Sequence, residues 1–404
     1  MRNIIIKILL VFACISAVNV NLFANISQEN QLKILKQLDI PYNFANTNYF
    51  KNMNESITKN QVDDFSRKLK SGYKYIPTIK NTLQAASMPD IFFYLAMVES
   101  GFSNKVISNA KAAGIWQFMS TTAKVHGLKI DKYVDERRDP VKATKAASEY
   151  LKGLKNRFGK WYLAILAYNC GEGKLRKAIR QANTDDLETL LDPKKRYLPK
   201  ETRNFIMKII RASFIEQNQY FTSSPDFNLL NKKGAKLIRV AIPGGTSLKK
   251  IGESIGVGVK KIRDDNTHLN FAFTPPNAKN YYVYIPENKK DIFNQNFKPI
   301  KYNNRFYTYT VKKGDTLIGI SKSSGVSHKA IKEYNDLTTS KIAINQKIII
   351  PRSDKNKFQN YIVRKGDTLE ILSKKFNVNI KDIKEANAFA SSDILTTGAS
   401  IVIP

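Results

Sequence analysis

The second half of the chain contains an internal repeat, and this repeat constrains the fold more than any other feature. Two segments share the string KGDTL, and a weaker copy precedes them. In each copy short β-rich runs flank two amphipathic helical pieces, which predicts the order strand, helix, helix, strand. All three copies keep one interval between a glycine and an asparagine: Gly245–Asn266, Gly314–Asn335 and Gly366–Asn387.

The KGDTL string reads as a turn from the first strand into the first helix. Gly314 is predicted to take a turn conformation that other residues avoid, and Thr316 or the preceding Asp315 to cap the helix. Leu317 is predicted to anchor the core. The third copy repeats these positions at Gly366, Asp367, Thr368 and Leu369. The first copy has Thr246 in place of the aspartate, so we treat it as degenerate.

The first half of the chain shows helical periodicity and no alternating strand pattern. With 404 residues, several domains are expected. We predict an α+β multidomain chain in which an all-α domain precedes the small modules. The predicted segments are an export signal at 1–24, a polar and loosely ordered lead-in at 25–60, the all-α domain at 61–220, the degenerate module at 237–286 and two modules at 307–351 and 360–404.

One acidic residue stands out in the helical half. The apolar run IFFYLAMV ends at Glu99, after a helix start at Pro89 and Asp90 and before a helix stop at Gly101. Apolar surroundings and the negative end of the helix dipole both disfavour an ionised carboxylate, and a protonated acid suits cleavage of a glycosidic bond. The alternative is that Glu99 is simply the first solvated residue after a core helix.

The composition is strongly basic, with 66 Lys and Arg against 34 Asp and Glu, a formal charge of +32. Such a surface favours anionic partners. The basic residues are spread over the chain as Lys mixed with Asn, without an Arg block or a groove-binding motif. We therefore predict no nucleic-acid partner. No metal-binding or cofactor motif is present, so neither is predicted, and the sequence gives no indication of the oligomeric state.

The N-terminus has the pattern of an export signal. Arg2 and Lys7 precede an apolar run that ends near Val18, and cleavage is predicted after Ala24. This places the protein in the periplasm. A second interpretation is lipid attachment at Cys14, which would anchor the chain to the outer membrane.

The repeats resemble LysM domains, modules that bind polymers containing N-acetylglucosamine. The resemblance rests on KGDTL at Lys313–Leu317 and Lys365–Leu369 and on the asparagine that follows each. It implies a glycan-binding groove between the loop after the first strand and the loop before the last. The groove-lining residues would be Gly314, Asp315, Thr316, Gly366, Asp367 and Thr368. Sugar binding by the first copy stays open.

The helical domain resembles the catalytic domain of lytic murein transglycosylases of the D group, which implies a lysozyme-like fold. Three motifs carry the resemblance: Glu99-Ser100, the run AGIWQFM that ends at Met119, and Ala167-Tyr168-Asn169. By resemblance, Glu99 is the catalytic acid and then base. The substrate-binding residues would be Ser100, Ser108, Gly114, Gln117, Met119, Tyr168 and Asn169. One departure is Phe205, where the family has tyrosine after Glu-Thr-x-x.

The implied activity is cleavage of peptidoglycan between N-acetylmuramic acid and N-acetylglucosamine, with formation of a 1,6-anhydro end and no cofactor. Only Glu99 lies in the motif region, and the sequence does not place Asp135, Glu136 or Asp139 opposite it. Two alternatives remain: a muramidase that hydrolyses the same bond with two carboxylates, and a non-catalytic protein that binds peptidoglycan strands. From the residue types alone, Trp116 and Met119 are expected in the core.

Overall fold

A computed structural model gives the fold in two compact units that divide at Ile238. It describes residues 27–55, 57–217, 236–275, 278–299, 306–324, 326, 328–335, 337–351, 359–376, 378, 380, 383–384, 387 and 395–403. The predicted export signal, its cleavage site and Cys14 lie outside these residues, as do most of the connections between modules.

The first unit is helical, as the periodicity predicts. Two short 3-10 helices, Tyr42–Asn46 and Glu136–Arg138, accompany its α-helices. The α-helices of this unit are α1 (Gln28–Gln37), α2 (Asn48–Glu55), α3 (Lys59–Gly72), α4 (Ile76–Ala85), α5 (Phe92–Ser100), α6 (Ser120–Val125), α7 (Pro140–Phe158), α8 (Trp161–Cys170), α9 (Glu172–Ala182), α10 (Leu187–Leu191) and α11 (Lys200–Gln217).

Two apolar helices form the centre of this unit. In α5 every residue from Phe92 to Met97 is buried, and in α8 every residue from Tyr162 to Ala167 is buried. A helix that is apolar on all sides must be enclosed by others, and α7 and α11 pack against this pair. Gly101 ends α5 in the left-handed conformation, with φ of 59°, as predicted. The core therefore holds the end of α5 in a fixed position.

The expectation of a loosely ordered lead-in over 25–60 is wrong for its described part. Helices α1 and α2 form there and pack on α11. Ile34 and Leu35 are fully buried, and the Phe50 ring meets Phe214 of α11 edge to face, 5.3 Å between centroids. Apolar residues at helical spacing were present but stand among many asparagines and lysines. Burial against a distant helix outweighs the poor helix propensity of asparagine.

The second unit contains the three repeats, each with a two-stranded sheet, as predicted. Its elements are β1 (Leu237–Pro243), α12 (Leu248–Ile255), α13 (Val259–Asp265), β2 (Asn280–Pro286), α14 (Lys290–Asn296), β3 (Phe306–Thr310), α15 (Leu317–Ser324), α16 (His328–Asn335), β4 (Lys347–Pro351), β5 (Gln359–Ile362), α17 (Leu369–Phe376) and β6 (Ser400–Ile403). Strands β3 and β4 pair antiparallel, with Thr308 opposite Ile349, and β5 pairs antiparallel with β6. Leu317 and Leu369 are buried in the cores of their modules, as predicted.

The repeated asparagine joins the second helix of a module to its last strand. The side-chain amide of Asn335 donates to the carbonyls of Ile331 and Ile349, at 2.8 and 2.7 Å. Its Oδ1 accepts from the Ile349 amide at 2.6 Å. Asn266 makes the same three bonds, to Ile262 and Tyr284. The constant glycine-to-asparagine interval is therefore a structural requirement of the module.

We expect Asn266→Ala to destabilise the first module by about 3 kcal/mol, because it leaves buried backbone groups of β2 without partners. Asn266 is 0% exposed, whereas Asn280, at the start of the same strand, is exposed. Asn280→Ala is therefore the matched control and should change stability by less than about 0.5 kcal/mol. Hydrogen exchange of the β2 amides in the full chain measures both. Equal protection in the two variants would contradict the structural role.

The loop of the first module is covered, unlike its counterparts. Gly245 and Thr246 are buried, whereas Gly314 and Thr316 are exposed. The Tyr334 hydroxyl donates to the Gly245 carbonyl at 3.3 Å, and its ring lies 5.0 Å from that of Phe273. The first module therefore offers no open loop of the kind that the other two present. Within the part of the chain described, every helix is too short or too polar to span a bilayer.

Candidate active site

Glu99 lies in the last turn of α5, half-buried, where the core ends. Burial raises the pKa of its carboxyl from 4.5 to about 8, and the charge of Glu201 on α11 adds to this effect. The last carbonyls of α5 also disfavour a negative charge at this position. Glu99 is thus a carboxylic acid that retains its proton near neutral pH, as the sequence predicted.

Tyr168 on α8 lies close to Glu99. Its hydroxyl donates to the Trp116 carbonyl at 2.6 Å. Burial raises the pKa of Tyr168 well above its usual value, with a further contribution from the charge of Glu99. The Tyr150 and Phe118 rings lie 5.4 and 6.3 Å from the Tyr168 ring. Tyr168 therefore remains protonated, and its position is fixed both by its hydroxyl and by its ring.

The segment AGIWQFM forms a tight loop next to these two residues. Gly114 has φ of 78°, and a Cβ there would lie 1.9 Å from the Arg137 carbonyl oxygen, so only glycine fits. Gln117 also has a positive φ, 47°. Its amide nitrogen donates to the carbonyls of Gly114 and Val106, at 2.8 and 3.3 Å. The Gln117 side-chain amide, predicted by resemblance to bind substrate, is thus bonded within the loop.

Two predicted serines hold this loop in place. The Ser100 hydroxyl donates to the Ile115 carbonyl at 2.8 Å and so ties the end of α5 to the loop. The Ser108 hydroxyl accepts from the Ala112 amide at 3.0 Å, and the Ser108 amide donates to the Ala112 carbonyl at 2.9 Å. Both side chains therefore contribute to the shape of the loop next to Glu99.

The sequence did not predict the role of Arg137, whose guanidinium bonds to the backbone of the loop. Its guanidinium makes a paired contact with the Asp135 carboxylate, at 3.0 and 2.8 Å. It also donates to the carbonyls of Lys111 and Phe118, at 2.8 and 3.1 Å, at the two ends of the loop. Tertiary structure brings the two carbonyls to Arg137, whereas Asp135 is only two residues away, and the only local signal was the acidic and basic cluster DERRD.

The carboxylates that follow the loop serve structural roles. Asp135 pairs with Arg137, Glu136 pairs with Lys142, and Asp139 caps α7 by accepting from two backbone amides. The carboxylate that acts on Glu99 is instead Glu201. The sequence marked Glu201 only as the first residue of a motif, because a contact between α5 and α11 joins residues far apart in the chain.

The remaining predicted residues divide between core and surface. Trp116 is fully buried, as expected, and donates from Nε1 to Thr144 at 2.9 Å. Met119 is 44% exposed, so the expectation that it belongs to the core is wrong. The loop turns its apolar side chain outward beside the half-buried Gln117. The Asn169 Oδ1 accepts from the Thr202 hydroxyl at 2.7 Å and joins α8 to α11, where Phe205 is buried.

The predicted glycan-binding loops of the second and third modules are exposed but internally bonded. Asp315 accepts from the Lys312 amide and the Tyr309 hydroxyl, at 2.7 and 2.8 Å, and these bonds lower its pKa. The Thr316 hydroxyl accepts from the Gly319 amide at 3.0 Å and caps α15, as predicted. Asp367 and Thr368 make the equivalent bonds. Gly314 and Gly366 have φ of 88° and 93°, the predicted turn conformation.

Because the pKa of Glu99 is raised in the folded protein, the stability of the protein should depend on pH. Between pH 4.5 and about 8 the unfolded chain releases the Glu99 proton while the folded chain keeps it, so the free energy of unfolding falls as the pH rises. Glu99→Gln does not titrate. We expect the difference in melting temperature, original protein minus variant, to decrease between pH 4.5 and about 8. Below pH 4.5 this difference should be constant. Thermal unfolding at matched pH values measures the difference, and a pH-independent difference would contradict the raised pKa.

Comparisons with known proteins agree with this arrangement. The Transglycosylase SLT domain model matches residues 76–190, and the LysM domain model matches residues 309–351 and 361–404. The chain is 30% identical over 338 residues to "Membrane-bound lytic murein transglycosylase D" of Escherichia coli (strain K12), covering 78% of this chain and 73% of that protein. This chain belongs to the lytic murein transglycosylase D family.

Further relatives match parts of this transglycosylase. "Cell wall-binding protein YocH" of Bacillus subtilis (strain 168) is 37% identical over 94 residues, 23% of this chain and 32% of that protein. Among solved structures, the complex of the 70-kDa soluble lytic transglycosylase with bulgecin A is 19% identical with a TM-score of 0.33, over 50% of this chain and 32% of that chain. Glu99, the loop and Tyr168 lie inside the matched range 76–190, whereas Glu201 and Phe205 of the transglycosylase lie beyond it.

Proposed function

We propose that this protein is a peptidoglycan lytic transglycosylase. It cleaves the β-1,4 bond between N-acetylmuramic acid and N-acetylglucosamine and leaves a 1,6-anhydromuramic acid end, while the LysM modules keep it on the wall. The observation that carries the proposal is Glu99, a carboxylic acid with a pKa of about 8 at the end of a buried helix. Family membership supports the same activity.

Glu99 acts first as an acid and then as a base. Its proton passes to the oxygen that bridges the two sugars, and the bond from that oxygen to C1 of the muramic residue breaks. The acetamido group of the substrate stabilises the positive centre on C1. The Glu99 carboxylate then takes the proton of the C6 hydroxyl, whose oxygen bonds to C1. Glu99 is protonated again, and no water is consumed.

The neighbouring residues position the substrate and the acid. We assign Tyr168 and Asn169 to the wall of the site, and Ser100, Ser108, Gly114 and Gln117 to the loop that shapes it. The exposed side chain of Met119 offers an apolar surface to a sugar ring. General acid–base assistance is worth about 10²–10⁴-fold, so this positioning must supply a further part of the rate enhancement.

Wall binding is assigned to the second and third modules. Their loops at 314–316 and 366–368 are exposed, and the bonds made by Asp315 and Asp367 hold the loop backbone in one conformation. Because the loop around Gly245 is covered, we assign no wall binding to the first module. We place the protein in the cell envelope, with export directed by residues 1–24 and anchoring through a lipid on Cys14 as the alternative.

Product analysis tests the proposed activity. Purified sacculi are digested with the full chain, and the soluble fragments are separated and weighed by mass spectrometry. A transglycosylase releases muramic acid ends that are one water lighter than reducing ends. A muramidase, for which Glu201 would be the second carboxylate, releases only the heavier ends. Release of the heavier ends, or binding to sacculi without release, would overturn the proposal.

A further inference from the structure

A cavity lies between helices α3, α5 and α11 and has no part in the chemistry above. Its volume is about 380 Å³, within the range of roughly 300–1,000 Å³ that is usual for small-ligand sites. Apolar side chains from all three helices line it: Phe65, Met97, Val98, Ala212 and Ile215. Its charged lining consists of Lys68, Lys208 and Arg211, with Asp64 as the one carboxylate. The cavity thus combines apolar walls with an excess of positive charge.

The carboxylate in the lining pairs with one of the three lining cations, Lys68, and leaves an excess of positive charge. Asp64 pairs with Lys68 at 2.7 Å and also with Arg67 at 3.0 Å. Arg211 is half-buried, and its Nε has no hydrogen-bond partner among the described residues. Burial lowers the pKa of the Arg211 guanidinium, with no carboxylate contributing in the opposite direction. A desolvated cation of this kind costs free energy that an anionic ligand would offset.

The cavity adjoins the acid. Met97 and Val98 directly precede Glu99, and a Cβ on Gly101 would lie 3.2 Å from Cγ of Lys68. Glu201 and Arg211 lie on one helix, about 15 Å apart along its axis at 1.5 Å per residue. Helices α3 and α11 both lie outside the residues that the transglycosylase domain model matches. The cavity is therefore lined in part by helices outside the matched range, next to the acid.

We propose that this cavity binds the free carboxylate end of the peptide stem of the peptidoglycan strand held at Glu99. The inference rests on the proposed function. Extended chain covers roughly 3.3–3.6 Å per residue, so four or five residues span the axial distance from Glu201, which acts on the acid, to Arg211. The apolar walls accommodate small alkyl side chains, and Lys208 and Arg211 donate to the carboxylate. The site makes the enzyme selective for strands that still carry peptides.

Direct binding tests this independently of catalysis. The probe is the stem peptide released from peptidoglycan by an amidase, titrated calorimetrically into the full chain. We expect Arg211→Gln, or amidation of the peptide carboxylates, to weaken binding at least tenfold, as for loss of a hydrogen bond to a charged group. Lys208→Gln, at an exposed cavity residue, should weaken it less. Lys177→Gln, at an exposed residue of α9 outside the cavity lining, removes the same charge and should leave binding unchanged.

The opposite results overturn the inference. If the amidated peptide binds equally well, or if both cavity variants bind the peptide as the original protein does, the cavity does not bind the peptide carboxylate. Binding of inorganic phosphate in preference to the peptide would identify a site for small anions instead. Because melting curves report whether Arg211→Gln is folded, and Lys208→Gln changes only an exposed side chain, loss of fold cannot imitate the expected pattern.

Turnover adds a second readout. With strands that carry stems, Arg211→Gln should raise KM about tenfold and leave kcat nearly unchanged, because the lost contact is made equally in the ground and transition states. With strands stripped by an amidase, the variant and the original protein should be equal. If neither protein releases anhydro ends, the proposed function is wrong. The calorimetric titration then still shows whether the cavity binds the peptide.

Discussion

Glu99→Gln is expected to abolish the release of anhydromuramic ends from purified sacculi. Glutamine keeps the size of the side chain but cannot deliver a proton to the bridging oxygen or take one from the C6 hydroxyl. Loss of general acid–base assistance alone predicts a fall of about 10²–10⁴-fold in rate. The measurement is mass-spectrometric quantification of soluble products over time, with the original protein alongside.

Glu201→Gln is the matched control for this experiment. It makes the same substitution at the carboxylate whose charge acts on Glu99, and it leaves the acid in place. Without that charge the pKa of Glu99 falls, so the alkaline limb of the pH–rate profile should move to lower pH while activity persists. Both variants should melt cooperatively. Undiminished release by Glu99→Gln would exclude Glu99, and equal inactivation by both variants would point to a second catalytic carboxylate, as in a muramidase.

Gly114→Ala is expected to produce the largest loss of stability among single changes in the loop. A Cβ at Gly114 would lie 1.9 Å from the Arg137 carbonyl oxygen, and φ is 78°. Backbone atoms cannot move aside as a flexible side chain can. The left-handed conformation costs about 1–2 kcal/mol for a residue with a side chain. The overlap adds roughly 1–3 kcal/mol, the usual cost of overpacking, and activity should be lost as the loop shifts.

Gly127→Ala separates these two contributions. Gly127 has a similar φ of 74°, but a Cβ there would meet nothing within 4 Å. The control should therefore lose only about 1–2 kcal/mol and keep its activity. Chemical denaturation of both variants gives the free energies of unfolding, and sacculus digestion gives the activities. Equal destabilisation by the two substitutions would show that the contact with Arg137 does not constrain the loop.

Local patterns predicted most of the fold because they depend on neighbours in the chain. The apolar run before Glu99 and the glycine after it defined α5, and the constant interval to Asn335 defined the modules. The purpose of that interval was not visible, since Asn335 bonds to a strand that follows a loop. The segment 25–60 was misjudged for a similar reason: Phe50 is covered by Phe214, which its own neighbours do not reveal.

The acid and the loop of the candidate active site could be predicted from the sequence. The residues that contact the acid and the loop from other parts of the chain could not. Glu99, Gly114, Gln117 and Tyr168 came from motifs, and the structure brings all of them together. Arg137 came from no motif, and Glu201 was marked only as the first residue of one, because each acts across a tertiary contact. An arginine that binds two carbonyls and one carboxylate has no signature in sequence spacing. Met119 was assigned by residue type, which describes average burial and says nothing of one side chain in a tight loop.

The contact between Tyr334 and Gly245 has a consequence for how strongly the enzyme is held on the wall. Three similar repeats would suggest three wall-binding modules, but Gly245 is buried whereas Gly314 and Gly366 are exposed. On the proposed assignment, the second and third modules bind the wall. Fewer binding modules give lower avidity, so the protein stays bound to one strand for a shorter time. On the proposed assignment, the repeats therefore hold the enzyme on the wall less tightly than three open loops would.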